Sequence, residues 1–182
     1  ASLAAARALV DAGAIASSAV VVVGAGRQGH AHAQAFADWC PDALPVVASS
    51  RTFPPPSTDG PVTVILCSSS RTPIVDAASV PPGSLVVSIG SFAPDRHEFD
   101  AELIRRAGCV YVDDAATAMT QCGPVAAAVS SGLLDPSDVV SIGDVMRGAA
   151  GVARHGDIAI YASVGLGVQD AAIADLLMRS RG

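Results

Sequence analysis

The chain has 182 residues, 51% hydrophobic and 15% charged, with a formal net charge of −6 and a pI near 4.9. That length accommodates one domain, or one domain with a small appendage, and the acidic balance argues against nucleic acid or an anionic membrane as partner. No apolar run approaches a bilayer span and no secretory signal is visible, so a cytoplasmic location is expected. The apolar excess is mostly alanine and valine, as a buried parallel sheet under alanine-rich helices requires. Lysine is absent, and all eleven basic residues are arginine. That excludes a Schiff-base lysine, a P-loop lysine and a Tyr-x-x-x-Lys catalytic pair from this polypeptide. Cys40, Cys67, Cys109 and Cys122 are widely spaced without C-x-x-C, which fits a reduced compartment and no cysteine-based metal site.

In chain order, Ser2–Ala12 reads as a helix with Leu3, Ala6, Leu9 and Val10 on one face and Gly13 as its stop. Val20–Val23 are four β-branched residues without a polar interruption, the pattern of a strand buried on both faces. Gly24, Gly26 and Gly29 follow as G-x-G-x-x-G, and an alanine-rich helix runs over Gln28–Trp39. Strand, glycine loop and helix together predict a dinucleotide site: a tight turn at Gly24, backbone approach to a pyrophosphate at Gly26, close helix packing at Gly29, and a helix N-terminus facing the phosphates. His30 and His32, two residues apart, point to different faces and make a poor metal pair. His30 is expected to face solvent and His32 to pack near the loop.

Pro45–Ser49 is the second predicted strand, and its tip reads Ser49-Ser50-Arg51. An acidic residue about 20 positions beyond the glycines normally binds the ribose 2′-hydroxyl of NAD. Here no carboxylate repels a 2′-phosphate, and two hydroxyls and a guanidinium are placed to bind one, so NADP(H) is expected in preference to NAD(H). Thr52–Pro61 is proline-rich and too short for a crossover helix to the next strand, Val62–Cys67, whose end carries Ser68, Ser69 and Ser70. Leu85–Ile89 is a strand ending in Gly90-Ser91-Phe92, and Asp95 with Glu98 resembles a capping box ahead of a Phe99–Ala107 helix. Cys109–Val112 is a strand ending in Asp113-Asp114. That pair reads either as acid–base or metal chemistry, or as an N-cap for the Ala115 helix beside a solvated neighbour. Gly123-Pro124 breaks that helix, Ser141 and Asp144 offer another start ending at Gly148, and Ile158–Ala162 is a last strand. Ser163-Val164-Gly165 then precedes a Val168–Met178 helix with an apolar face of Val168, Ala172 and Leu176.

Three stretches carry a family resemblance: GAGRQGHAH from Gly24, SIGSFAPDRHEFD from Ser88 and ASVGLGVQD from Ala162. In this order they resemble the ornithine cyclodeaminase/μ-crystallin family over nearly the whole chain. The resemblance implies a Rossmann domain bound to NAD(H) or NADP(H) and chemistry at a C=N bond alpha to a carboxylate. Carried over, Gly24, Gly26, Arg27, Gln28 and Gly29 match the pyrophosphate loop and Ser49, Ser50 and Arg51 the ribose end. Ser68 and Ser69 match a polar pair, Gly90 heads the motif after its strand, and Ser163, Val164 and Gly165 match the motif near the nicotinamide. The family's cyclodeaminases have an aspartate where this chain has Ser91, and a serine is a poor ionisable base at neutral pH. Ser91 is therefore expected to orient substrate or a water rather than to deaminate. The family's substrate and dimerisation domain, with its carboxylate-binding lysine and arginines, has no counterpart in this sequence.

The expected fold is α/β, a Rossmann-type doubly wound, mostly parallel sheet over 17–145, with 1–16 and 146–182 as flanking helical segments that would join or contact a missing second domain. The expected function is NADPH-dependent reduction of a small cyclic imino acid, Δ1-pyrroline-2-carboxylate or Δ1-piperideine-2-carboxylate, to proline or pipecolate. An NAD-dependent ornithine cyclodeaminase or alanine dehydrogenase-like enzyme, and a nucleotide-binding module without catalysis, are the alternatives. The expected assembly is a homodimer formed through a domain or helices incomplete in this chain, without a metal.

Overall fold

The computed structural model describes residues 2–11, 19–39, 45–48, 60–150 and 156–180. The valine run forms β1 (Ala19–Val23), and the glycine loop opens α2 (Arg27–Trp39), after a first helix α1 (Ser2–Asp11). β2 (Val46–Ala48), β3 (Val62–Leu66), β4 (Leu85–Ser88), β5 (Val110–Val112), β6 (Val139–Ser141) and β7 (Ala159–Ala162) complete a seven-stranded sheet in the order β2-β1-β3-β4-β7-β5-β6. Every pairing is parallel. A parallel sheet must be covered on both faces, and the alternation of side chains divides the core accordingly. Val21, Val23, Val64, Leu66, Val86, Val110 and Ile160 pack on one face with α3 (Ala101–Ala107), α4 (Ala115–Gln121) and α5 (Gly123–Ser130). Val20, Val22, Ile65, Val87, Tyr111 and Tyr161 pack on the other with α1, α2 and α6 (Ile142–Met146). The fold is a doubly wound α/β sheet of Rossmann type.

Strand order adds what local pattern does not contain. β2 and β3 flank β1 on opposite sides, with the connection through 49–61 between them in sequence. Most of that connection, and with it Ser49, Ser50 and Arg51, lies outside the described residues, as do Gly13 and Cys40. β7 inserts between β4 and β5, at the middle of the sheet. The expected division at 145 thus leaves out a central strand, and 146–182 is not a purely helical flank. α1 likewise buries Ala5, Ala6 and Leu9 against the sheet. Gly123-Pro124 breaks the helical run as expected, with α4 ending at Gln121, and it also opens α5, because proline is tolerated in a first helical turn.

The C-terminal helix α7 (Gly167–Arg179) buries none of its residues. Its expected apolar face is exposed, with Val168, Ile173, Leu176, Leu177 and Met178 between 54% and 78% open to solvent. No helix among the described residues is long and apolar enough to cross a membrane.

At the amino ends of the strands, one arginine joins three segments. Arg106 of α3 donates through Nε and Nη2 to the Asp157 carboxylate at 3.1 and 2.8 Å, and through Nη1 to the carbonyls of Val80, at 2.8 Å, and Ala77. Replacing Arg106 by alanine leaves two carbonyls and a carboxylate without this donor. Urea unfolding of Arg106→Ala should show a loss of about 1–2 kcal/mol, the lower part of the usual range because Asp157 is half exposed. Hydrogen bonds from Arg106 hold the Asp157 carboxyl below its ordinary value. This contribution is therefore present above pH ~4 and lost on further acidification.

Candidate functional site

In an open parallel sheet, ligands bind beyond the carboxyl ends of the strands where the winding direction reverses. Here the reversal falls between β1 and β3, because the chain leaves β1 to one side for β2 and returns on the other for β3. The glycine loop leaves β1 at this point, and Cys67–Ser70 leaves β3. A cleft of about 300 Å³ opens between them, lined by Gly26, Arg27, Gln28, Cys67, Ser68, Ser69, Ile89, Gly90 and Phe92.

The glycines divide their tasks as their surroundings dictate. Gly24 has φ +132°, and a Cβ there would meet the Cys67 carbonyl oxygen at 2.4 Å; a Cβ on Gly29 would sit 1.7 Å from the Gly24 carbonyl oxygen. Both are buried and set the turn rather than line the cleft. A Cβ on Gly26 would meet nothing within 4 Å, so this position opens onto the cleft. The first turn of α2 begins at Arg27, placing its unpaired amide ends and positive dipole end at the same opening. His32 ties this helix to α1: its Nδ1 bonds the Gln28 carbonyl at 2.8 Å and its Nε2 the Ser2 hydroxyl at 3.0 Å. His30 is exposed.

Glu98 does not form the capping box that its spacing from Asp95 predicts. The N-cap of α3 is Asp100, whose carboxylate accepts from the Glu102 and Leu103 amides at 3.1 Å each. No capping box forms. Glu98 is instead 0% exposed and lies beneath the cleft, where its carboxylate accepts the Ser68 amide at 2.6 Å, the Gly90 amide at 2.7 Å and the Ser88 hydroxyl at 2.8 Å. Burial pushes its carboxyl above the ordinary range, against the opposing pull of these donors. Beside it, the Cys67 thiol is pushed up to about 12 by burial and, secondarily, by the Glu98 charge.

Ser91, expected to orient substrate or a water, belongs to the same buried cluster. It is 1% exposed, and its hydroxyl accepts the Glu98 amide at 3.0 Å and lies 3.1 Å from the Ser88 hydroxyl. It faces inward, away from the cleft, and is not placed to orient substrate.

The Asp113-Asp114 pair has two separate tasks. Asp114 caps α4, accepting from the Thr117 amide at 2.8 Å and hydroxyl at 2.6 Å. Asp113 is not a solvated neighbour. It accepts the Ser163 hydroxyl at 2.8 Å, the Val164 amide at 3.0 Å and the Gly165 amide at 2.9 Å. The Ser163-Val164-Gly165 motif therefore sits at the end of β7, fastened to the end of β5, with its amides engaged within the protein. It does not line the cleft, although the Ser163 amide bonds the Ser88 carbonyl of neighbouring β4 at 2.8 Å.

Of the expected binding residues, the structure brings Gly26, Arg27, Gln28, Ser68, Ser69 and Gly90 to one cleft. Cys67, Ile89 and Phe92 line it as well; Phe92, an exposed aromatic at a strand end, carried the only sequence signal among them. A larger hollow of about 510 Å³ between α1 and α6 is lined by Ala4, Arg7, Ala8, Asp11, Val145 and Met146. Its two charged residues pair with each other at 3.6 Å, which leaves it without converging polar groups.

The ornithine cyclodeaminase/mu-crystallin family profile matches residues 57–180, and the chain belongs to that family. It is 36% identical over 110 residues to an alanine dehydrogenase of Archaeoglobus fulgidus, covering 59% of this chain and 34% of that protein. It is 31% identical over 173 residues to Delta(1)-pyrroline-2-carboxylate reductase 2 of Burkholderia ambifaria, covering 84% of this chain and 53% of that one. Among solved structures, an archaeal alanine dehydrogenase dimer with bound NAD superposes with a TM-score of 0.68 at 26% identity, over 94% of this chain and 60% of that one. The chain thus spans about half the length, or less, of the curated relatives it matches.

Removing the Asp113 carboxylate leaves two amides and a hydroxyl without their acceptor. Asp113→Ala should lower unfolding stability by about 1–3 kcal/mol and speed amide exchange at Val164 and Gly165, measured by NMR.

Proposed function

We propose that the cleft between β1 and β3 binds a nicotinamide dinucleotide, NADP(H) in preference to NAD(H). We further propose that the chain is the nucleotide-binding part of an oxidoreductase acting on a small cyclic imino acid. The observation that carries the first reading is the opening at Gly26. A backbone position with empty space for a Cβ adjoins the N-terminus of a 13-residue helix and an exposed arginine, at the reversal point of a parallel sheet. An anionic pyrophosphate is the group such a cradle suits. Arg27 and the first amides of α2 would hold its oxygens, Ser68 and Ser69 would bond a ribose or phosphate oxygen, and Gly90 with Ile89 and Phe92 would flank the far end. Ser49, Ser50 and Arg51 are proposed to meet the 2′-phosphate.

Bound there, the cofactor would supply a hydride to the imine carbon of Δ1-pyrroline-2-carboxylate or Δ1-piperideine-2-carboxylate, with a proton reaching the nitrogen, giving proline or pipecolate. Support comes from the family and from the likeness to a protein named for Δ1-pyrroline-2-carboxylate reduction. The chain's own contribution is to bind and orient the cofactor. The exposed apolar residues of α7 are proposed to meet the substrate and dimerisation part that relatives of twice this length have room for. An aqueous, reduced cytoplasmic setting fits the composition.

A second reading, dinucleotide binding without catalysis by this polypeptide, is favoured by one observation. Among the described residues the ionisable side chains lining the cleft are Arg27 and Cys67, and the thiol is pushed up to about 12 by burial, too high for a ready proton donor near neutral pH.

Titration with NADPH and NADH, followed by nicotinamide fluorescence, tests the reading. NADPH should bind the more tightly, and Arg51→Ala should weaken NADPH roughly ten- to a hundredfold while leaving NADH nearly unchanged. A preference for NADH would remove the 2′-phosphate assignment and favour an NAD-dependent dehydrogenase or cyclodeaminase.

A further inference from the structure

Two of the residues lining the cleft owe their backbone positions to a side chain that never reaches it. Ser68 follows β3 and Gly90 follows β4, and both amides point at the Glu98 carboxylate, one to each oxygen. The approach requires the glycine, because a Cβ on Gly90 would lie 1.6 Å from the Ser68 carbonyl oxygen and 2.6 Å from the Glu98 carboxyl. Glu98 is held in turn by its own backbone: its amide donates to Ser91, and its carbonyl accepts the Ile74 amide at 3.0 Å. Amides only donate, so the Ser68 and Gly90 amides on this carboxyl both require acceptors, and the pattern is that of an ionised carboxylate.

Among the described residues no cation offsets that charge. The ionisable groups facing it are thiols, Cys67 at the end of β3 and Cys122 between α4 and α5, both raised to about 12 by burial. Its chain neighbours turn elsewhere: Arg96 to the Ser69 carbonyl and Asp95, His97 to the Pro94 carbonyl. A buried carboxylate without a countercharge is expensive, and a packed apolar residue would serve stability at least as well. What a carboxylate adds is a fixed meeting point for amides from two separate strand ends.

Resting on the dinucleotide reading above, we propose that Glu98 is a positioning residue of the cofactor cleft. Its carboxylate fixes the Ser68 and Gly90 backbones in the arrangement the dinucleotide meets, without touching the cofactor. In Glu98→Gln one oxygen becomes an amide that faces an N–H donor-to-donor, so the two strand ends can no longer be held alike.

The test compares NADH and NADPH titrations of the wild-type chain, Glu98→Gln and Arg106→Ala from roughly pH 8 down to pH 5.5, with unfolding stability recorded at each pH. Wild-type affinity should fall on acidification as the carboxylate takes a proton. Glu98→Gln should bind at least tenfold more weakly at pH 8 and lose that pH dependence, beyond what the cofactor itself contributes to every variant. The Ser68 and Gly90 amide protons should shift with pH and exchange slowly in the wild type, and exchange faster in Glu98→Gln. Arg106→Ala, far from the cleft, should lose stability with unchanged affinity. Equal affinity and pH profile in wild type and Glu98→Gln overturn the assignment while leaving the dinucleotide reading standing. Equal weakening in Arg106→Ala also overturns it, since general destabilisation then explains the effect. A wild-type chain that binds neither cofactor removes the dinucleotide reading and this assignment with it.

Discussion

The site's geometry depends on a buried carboxylate, Glu98, that has no countercharge among the described residues. A parallel sheet ends on one edge in a row of loops, each starting from its own strand, and nothing in strand pairing itself fixes how those loops stand to one another. Glu98 supplies that constraint between β3 and β4, taking an amide from each strand end and a hydroxyl from within β4. Asp113 repeats the device between β5 and β7, taking two amides and a hydroxyl from the segment after β7. Because β4 and β7 are neighbours, the two fastenings act side by side along the same edge. On β1, where no carboxylate serves, glycines do the work: Gly29 and Gly24 let the helix and β3 close around the loop.

This division explains why the open cleft lies where it does. Glu98 ties the ends of β3 and β4, Asp113 those of β5 and β7, and the Ser163 amide meets the Ser88 carbonyl between them. Between β1 and β3 the chain reverses its winding, and the α2 N-terminus, Arg27 and exposed Ser69 border the open cleft instead. The position best supplied with donors is therefore also the one with room for an anionic ligand. At the other end of the strands Arg106 joins α3 to the 77–80 turn and Asp157, a contact that supports the scaffold and does not reach the site.

Local pattern revealed the parts of this arrangement that are local. Four valines, a glycine loop and an alanine-rich helix are contiguous in sequence, and the structure assembles them as read. What escaped were contacts between distant positions. Glu98 stands three residues after Asp95, which is the spacing of a capping box, and only its bond to Ser68, 30 positions away, reveals a different task. Ser91 looked like an outward polar residue at a strand tip; its burial follows from Glu98 and is invisible without it. Asp113 similarly acts 50 positions away. The placement of β7 between β4 and β5 depends on which strands pair, and alternation or length carries no such information. Nor does an apolar stripe on a helix say whether it is covered: α1 and α7 read alike, yet α1 is packed on the sheet and α7 buries none of its residues.

The central claim is that the β1–β3 reversal, with Gly26 open and Glu98 beneath, is a dinucleotide cleft. A crystal structure of the chain soaked with NADP+ tests it most directly. The account predicts the pyrophosphate beside Gly26 at the start of α2, bonded to Arg27 and the first helical amides, with the Glu98 carboxylate still holding Ser68 and Gly90 below. A dinucleotide seated elsewhere, or a cleft whose Ser68 and Gly90 amides turn away from Glu98 to meet the ligand, would contradict it.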